Sequence, residues 1–246
     1  LTLVYALQFS YGVFLPSMAE DLQVDRATLS APYSLFVFFY TWLSLLAGRL
    51  TDKLGPRAVI SFGAVALGAG YMALSTATVW WEPYVYLGCI AAVGASVAFV
   101  PCNATVIKWF VRRRGFALGL ASSGTSAAAV FGPAISVWLI GVHGWRDALL
   151  ILGFCVAALT LLAAQAMVRD PESRGLHPDG DQPTDHEAVG RGDERPRSDE
   201  GPPWTLSAAA RTRAFWFLVA ALFCSWLVVF FPMLHVIAYG LDRGLS

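Results

Sequence analysis

The sequence predicts an all-α, polytopic membrane helical bundle, and three observations predict it. Apolar residues make up 57% of the chain and charged residues only 14%, with a mean hydropathy of +0.58. A soluble domain would be nearer half apolar and a quarter charged. The charges are clustered, and between the clusters run stretches of roughly twenty residues almost free of them, the length an α-helix needs to cross a bilayer. Lysine and arginine also concentrate in alternate loops, the bias that marks the cytoplasmic side of membrane proteins.

Hydrophobic segments are expected at roughly 1–19, 30–50, 58–79, 84–107, 115–141, 145–168 and 214–240. Pro16, Pro101, Gly132-Pro133 and Pro232 fall inside them. These residues break soluble helices, but in a membrane bundle neighbouring helices re-satisfy the freed backbone. The fifth segment is rich in small residues, and Gly115 and Gly119 have the GxxxG spacing of closely packed helices. Cys89, Cys102, Cys155 and Cys224 lie in apolar stretches without zinc or CxxC spacing, and read as small core residues. The chain opens on Leu1, already apolar and with no charged region before it. No cleaved signal peptide is expected, and the sequence is expected to start inside a longer protein.

The loops set the orientation. Arg49, Lys53 and Arg57 follow the second segment, and Lys108, Arg112, Arg113 and Arg114 follow the fourth. The opposite loops hold only Arg26 and Arg146, beside Glu20, Asp21, Asp25, Glu82 and Asp147. Positive loops stay inside, so the N-terminus is expected in the cytoplasm and residue 246 outside. Trp80, Trp81, Trp138 and Trp145 fall near the outer boundaries and Trp109 near the inner one, as an aromatic belt would. Residues 169–213 differ: they are rich in Asp, Glu, Arg and Pro, with almost no apolar run to bury. That composition predicts a disordered cytoplasmic linker. The domain reading is a six-helix bundle over 1–168, the linker over 169–213, and over 214–246 a seventh helix that starts another bundle.

The most informative string is Gly48-Arg49-Leu50-Thr51-Asp52-Lys53-Leu54-Gly55-Pro56-Arg57, between the second and third segments. Gly48 permits close helix packing and Gly55 a tight turn. Asp52, at the membrane edge, can accept from a helix N-terminus or pair with a cation. A generic inside loop would also be basic. In spacing and place, however, the string resembles the inner-loop signature of the major facilitator superfamily, roughly G-x-x-x-D-[RK]-x-G-x-[RK]. Other strings resemble its monocarboxylate-transporter-like (oxalate/formate-antiporter-like) branch. They are the run from Trp109 to Leu120, Phe14-Leu15-Pro16 with Glu20-Asp21-Leu22, Gly144-Trp145-Arg146, and the end from His235 to Ser246. The resemblance covers nearly all of the chain outside the linker. It implies the major facilitator fold, with two six-helix halves that expose a midplane site alternately to each side. This chain would supply the first six helices plus the seventh, with an inner gate at Gly48, Asp52, Lys53, Gly55 and Arg57. Such anion carriers often use a cationic residue in the later helices or a lysine in the first. No Lys or Arg lies mid-segment here, so an anion-pairing charge is expected beyond residue 246.

Intramembrane polar groups are the natural site candidates. Gln8 and Tyr11 share a face of the first segment at i, i+3. In the superfamily the first helix lines the cavity; the other reading is hydrogen bonding between helices. Tyr33, Tyr40, Thr41 and Ser44 form a stripe better read as packing, except for Tyr33 near the outer mouth. Cys89, Ser96 and Asn103 recur every seven residues, and a break near Pro101 would free carbonyls beside Asn103. Asn103-Ala104-Thr105 also matches a glycosylation sequon, accidental so near the inner face. His235 and Tyr239 stand at i, i+4 on the seventh segment. His235 is the visible candidate for proton coupling; otherwise it is a neutral, hydrogen-bonded histidine. Ser122, Ser123, Thr125 and Ser126 can all bond their own helix backbone.

No Ser-His-Asp set, paired carboxylates, Walker loop or metal cluster is visible in the sequence, so no enzyme, cofactor or metal is expected. The zero net charge gives no pointer to nucleic acid. The leading reading is a multi-pass plasma-membrane protein that moves a small organic solute, in the first instance a monocarboxylate, by alternating access. The alternatives are an efflux carrier for drugs or other apolar solutes with the same fold, and a membrane scaffold or sensor that does not transport.

Overall fold

The computed structural model describes residues 1–168, 210–225 and 228, and every regular element among them is helical. The chain divides into two compact units, Leu1–Thr184 and Asp185–Ser246.

The first unit begins with α1, Thr2–Leu22, which closes on Gln23 in a left-handed conformation (φ 52°) whose amide bonds the Ala19 carbonyl. Pro16 sits within α1 without ending it. Helix α2 spans Arg26–Leu54. At its start the Thr28 hydroxyl donates to the Asp25 carboxylate. At its end comes Gly55, with φ 83°, and then Pro56 at the first position of α3, Pro56–Ser75. A positive φ followed by a proline already set for helix makes a one-residue corner between two membrane helices.

The fourth span, α4, runs Tyr84–Trp109. It opens as a π-helix over Tyr84–Ala91, and its ladder is interrupted at Val97 (φ −93°, ψ 8°), the residue before the last α-helical stretch, whose N-cap is Ala98. The break expected near Pro101 therefore lies one turn earlier. Proline lacks an N–H, and its ring crowds the carbonyl four residues back, which here belongs to Val97. Helix α5 covers Arg114–Ala166, 53 residues, with Gly144 at φ 80° dividing it into two arms. Four of these elements, α2, α3, α4 and α5, are long and apolar enough to cross a membrane. Each arm of α5 is long enough to span about 30 Å at 1.5 Å per residue. Helix α1 has 21 residues, also sufficient, and is more polar because it carries Gln8, Ser10, Glu20, Asp21 and two tyrosines.

The helices overrun the apolar segments at their ends. α2 continues through Arg26 and Lys53, since Arg and Lys are good helix formers and the helix need not stop where hydrophobicity does. α3 stops at Ser75 instead of near 79, where the Thr76 and Ala77 amides fold back on Ala73 and Leu74.

Small residues decide how the bundle packs. α1 lies against the first arm of α5, where Gly132 faces the Ala6 carbonyl and Gly124 faces the Thr2 hydroxyl. α3 lies against the second arm, with Gly68 on Gly153 and Ala157, and meets α4 through Gly63, Gly70 and Gly94. A methyl group at Gly115 or Gly119, by contrast, would meet nothing within 4 Å. The GxxxG pair is therefore not the close contact; Gly124 and Gly132, further along the same arm, are. Leu7, Phe14, Met18, Phe36, Tyr71 and Leu149 fill the centre. Trp80, Trp81 and Trp138 are exposed as a belt requires, but Trp145 is buried, with the Arg146 guanidinium 4.3 Å above its ring.

In the second unit the described residues form α6, Arg213–Ser225, whose Trp216, Phe217 and Phe223 are exposed. Most of the expected linker and most of segment seven beyond Ser225, including His235 and Tyr239, lie outside the described residues.

Candidate functional site

The polar groups of α1 and α2 meet along one seam. Tyr11 donates to the Leu29 carbonyl at 2.6 Å, and its ring stacks on Tyr33 at 5.5 Å between centroids. The stack continues through Phe36 at 5.8 Å and Tyr40 at 6.1 Å. Tyr40 then shares a 2.8 Å hydrogen bond with Tyr5, back on α1. This order follows from helical spacing: Tyr5, Gln8 and Tyr11 lie three residues apart on α1, and Tyr33, Phe36 and Tyr40 three and four apart on α2. Aromatic pairs at these offset distances add about 0.5–1.5 kcal/mol each beyond the area they bury.

Gln8 stands in the middle of this seam, and its amide bears on the Tyr33 hydroxyl. Its Oε1, however, is buried and accepts no hydrogen bond. The same holds for the hydroxyl of Tyr71, a fully buried residue of α3 that lies within electrostatic reach of Tyr11 and Tyr33. An unpaired buried polar atom costs about 1–3 kcal/mol, so two of them beside one tyrosine stack mark a place that a water or a ligand's polar group would satisfy. Gln8, Tyr11 and Tyr33 are thus brought together as neighbours. Asn103 has a local use: its amide donates to the Phe99 carbonyl of its own helix at 3.0 Å. Thr41 and Ser44 likewise bond backbone carbonyls one turn back.

A cavity of about 530 Å³ opens at the end of the unit where α1 begins and α4 finishes, lined by Thr2, Cys102, Thr105, Trp109, Gly124 and Val168 among others. Its size suits a small molecule. Trp109 holds its rim by donating from Nε1 to the Val168 carbonyl at 3.1 Å.

The gate string occupies the corner between α2 and α3. Gly48 faces Val100 on α4, where a methyl group would meet the Val100 side chain at 3.4 Å, an ordinary contact. Asp52 and Lys53 are exposed on the last turn of α2, and Gly55 makes the corner through its positive φ. Arg57, on the first turn of α3, donates from Nε to Gln165 Oε1 at 2.8 Å and bonds the same oxygen through its second nitrogen. The corner is therefore tied to the end of α5. At the opposite end Arg146 makes a corresponding clamp. It pairs with Asp21 at 2.7 Å and donates to the Ser75 and Ala77 carbonyls at 3.0 and 2.7 Å, joining α1, α3 and α5.

The sequence does not single out Tyr5, Tyr71 or Gln165. Tyr5 carries a visible signal, since it lies three residues before Gln8 on the same face. Tyr71 and Gln165 carry none, because the groups they face, Tyr11 and Tyr33 for the one and Arg57 for the other, lie more than thirty residues away in the chain.

Among curated proteins the chain is similar to monocarboxylate transporter 13 of Rattus norvegicus, 29% identical over 68% of this chain and 39% of the relative. It is similar to monocarboxylate transporter 11 of Mus musculus, 32% identical over 69% of this chain and 39% of the relative. It is also similar to the agnestins efflux protein of Paecilomyces divaricatus, 24% identical over 96% of this chain and 49% of that protein. In these matches the chain spans less than half the length of the relatives. The family profile described as Major Facilitator Superfamily matches residues 1–246. With its helical membrane spans and its inner-loop string, the chain belongs to the major facilitator superfamily.

Proposed function

We propose that the complete protein carrying this chain is a secondary active transporter that moves a small organic solute, in the first instance a monocarboxylate, by alternating access. The observation that carries the reading is Gln8: an amide inside an apolar helix whose buried oxygen lacks a partner, set in a tyrosine-lined seam on the first helix. A neutral hydrogen-bonding site of this kind suits a solute whose own charge, if it has one, is met elsewhere. The names of the monocarboxylate transporters among its relatives support the substrate class. The efflux proteins among them favour a second reading, export of a larger apolar solute by the same fold.

The rest of the proposal concerns setting. The basic corner after α2 and the basic loop after α4 support a cytoplasmic N-terminus and a cytoplasmic 169–213 linker, and the same reading puts the carrier in the plasma membrane. Gly48, Asp52, Lys53, Gly55 and Arg57 form the inner gate. Tyr11, Tyr33, Asn103 and Tyr239 join Gln8 along the substrate path, and His235 supplies proton coupling; nucleic acid plays no part.

The test is uptake by the complete protein in proteoliposomes. Gln8→Leu should raise KM for the solute by five- to twenty-fold, and Asp52→Asn should lower the maximal rate with little change in KM. A Gln8→Leu carrier with unaltered KM would remove Gln8 from the path. Unaltered rate and gating in Asp52→Asn would remove the gate assignment, and pH-dependent uptake that survives His235→Ala would remove the proton role.

A further inference from the structure

A groove separate from the Gln8 seam runs between α2, α3 and α4, with a volume of about 400 Å³. Its apolar lining includes Leu43, Leu46, Phe62 and Val97, and its cations are Arg49 and Lys53. The two kinds of residue are ordered along the groove. Arg49 and Lys53 are one turn apart near the end of α2, which closes at Leu54. Leu43 lies about 9 Å deeper than Arg49 and about 15 Å deeper than Lys53 along the same helix, at 1.5 Å per residue. Leu46 and Phe62 remain more than half exposed, at 56% and 59%, so the groove opens sideways from the bundle. Arg49 and Lys53 make no hydrogen bond or ion pair among the described residues.

We propose that this groove holds an anionic phospholipid, with its phosphate on Arg49 and Lys53 and one acyl chain laid along Leu46, Leu43 and Phe62. The match is one of polarity along an axis. A phospholipid carries its charge at one end and apolar surface below it, and the groove has cations at the helix end and apolar side chains deeper in the span. Basic pockets between membrane helices recognise acidic headgroups in this way, each cation adding roughly five-fold to affinity. The cytoplasmic orientation proposed above would place the cations in the anionic leaflet, but the order of the lining stands without it. Phosphate alone would gain only the cations, whereas a lipid gains the apolar wall as well.

The test uses the complete carrier purified in neutral detergent. Dioleoylphosphatidylglycerol should raise its melting midpoint saturably, while dioleoylphosphatidylcholine and soluble glycerol 3-phosphate should not. Arg49→Gln with Lys53→Gln should weaken the phosphatidylglycerol effect by about thirty-fold, and Arg113→Gln should leave it as in the parent. Equal weakening by Arg113→Gln would mean diffuse attraction to a basic face, and an unaltered effect in the double variant would mean a different site; either overturns the proposal. Should the double variant fail to fold, photolabelling of the parent decides. Phosphatidylglycerol with an acyl-chain diazirine should label peptides containing 43–50 and 62. Labelling confined to other peptides, as when a helix from the rest of the carrier fills the groove, overturns it.

Discussion

Gly94→Ala tests the packing account most sharply, because one methyl group is asked to enter a space already occupied. A Cβ at residue 94 would lie 2.2 Å from the Leu67 nitrogen, 2.6 Å from the Leu67 Cα and 2.6 Å from the Gly63 carbonyl oxygen. Ordinary contact begins at 3.4 Å, so α3 and α4 must separate by about an ångström, and all three atoms are backbone with no rotamer to yield. Overpacking of this kind costs about 1–3 kcal/mol, and a rigid backbone contact belongs at the upper end. Alanine recovers about 1 kcal/mol of helix propensity over glycine, leaving a net loss of about 2 kcal/mol. For 150–250 residues that lowers Tm by about 4–8 °C. Gly119→Ala, into open space, should hold or raise Tm by the propensity term alone. The assay is a fluorescence-detected melt of both variants in the same detergent. A Gly94→Ala protein that melts with the parent, or a Gly119→Ala protein that falls as far, would refute the helix pairing described here.

Tyr71→Phe removes a buried hydroxyl that has no partner, so its Tm should hold or rise; a fall of several degrees would show that the hydroxyl is satisfied by bound water or solute. Arg146→Ala breaks the clamp between α1, α3 and α5. Because Arg146 and Asp21 are 38% and 46% exposed, the ion pair counts for less than about 1 kcal/mol and the two carbonyl bonds for the rest. A total near 2 kcal/mol predicts a Tm fall of a few degrees, while Asp21→Asn alone should cost less than half as much. Glu82, in the turn before α4, accepts the Thr78 and Val79 amides at 2.5 and 3.2 Å, and these backbone bonds hold its carboxyl below the usual 4.5. A lowered folded pKa stabilises the turn fully above the ordinary glutamate range and ceases to do so as pH falls through the lower value. The Thr78 and Val79 amide resonances should therefore titrate with a midpoint below 4.5 and lose that transition in Glu82→Gln; a midpoint at or above 4.5 contradicts the assignment.

The fold was legible in the sequence because membrane crossing imposes a coarse rule on composition. Apolar runs located the helices of the first unit to within a few residues, and Gly55 marked one of its corners; the corner at Gly144 came only with the structure. Contacts that depend on one atom pair were not legible. Gly115 and Gly119 have GxxxG spacing and face open space, while Gly94 and Gly132, which lack a glycine four residues away, lie in the tightest contacts. A spacing says which residues share a face, not which face meets a neighbour. The site divides the same way. Gln8, Tyr11 and Tyr33 could be found as polar groups in apolar helices. Tyr71 and Gln165 could not, because their roles arise only when α3 and the end of α5 arrive from distant sequence. Arg146 was legible as part of a Gly-Trp-Arg string, but the carbonyls it holds were not, since any residue supplies a carbonyl.

Counterflow in proteoliposomes tests the central claim most directly, because only alternating access accelerates uptake of labelled solute when the same solute is loaded inside. The complete protein should take up a small organic acid saturably, with uptake accelerated by internal solute and KM raised by Gln8→Leu. Uptake that is linear in concentration, indifferent to internal solute and unaltered by Gln8→Leu would contradict it.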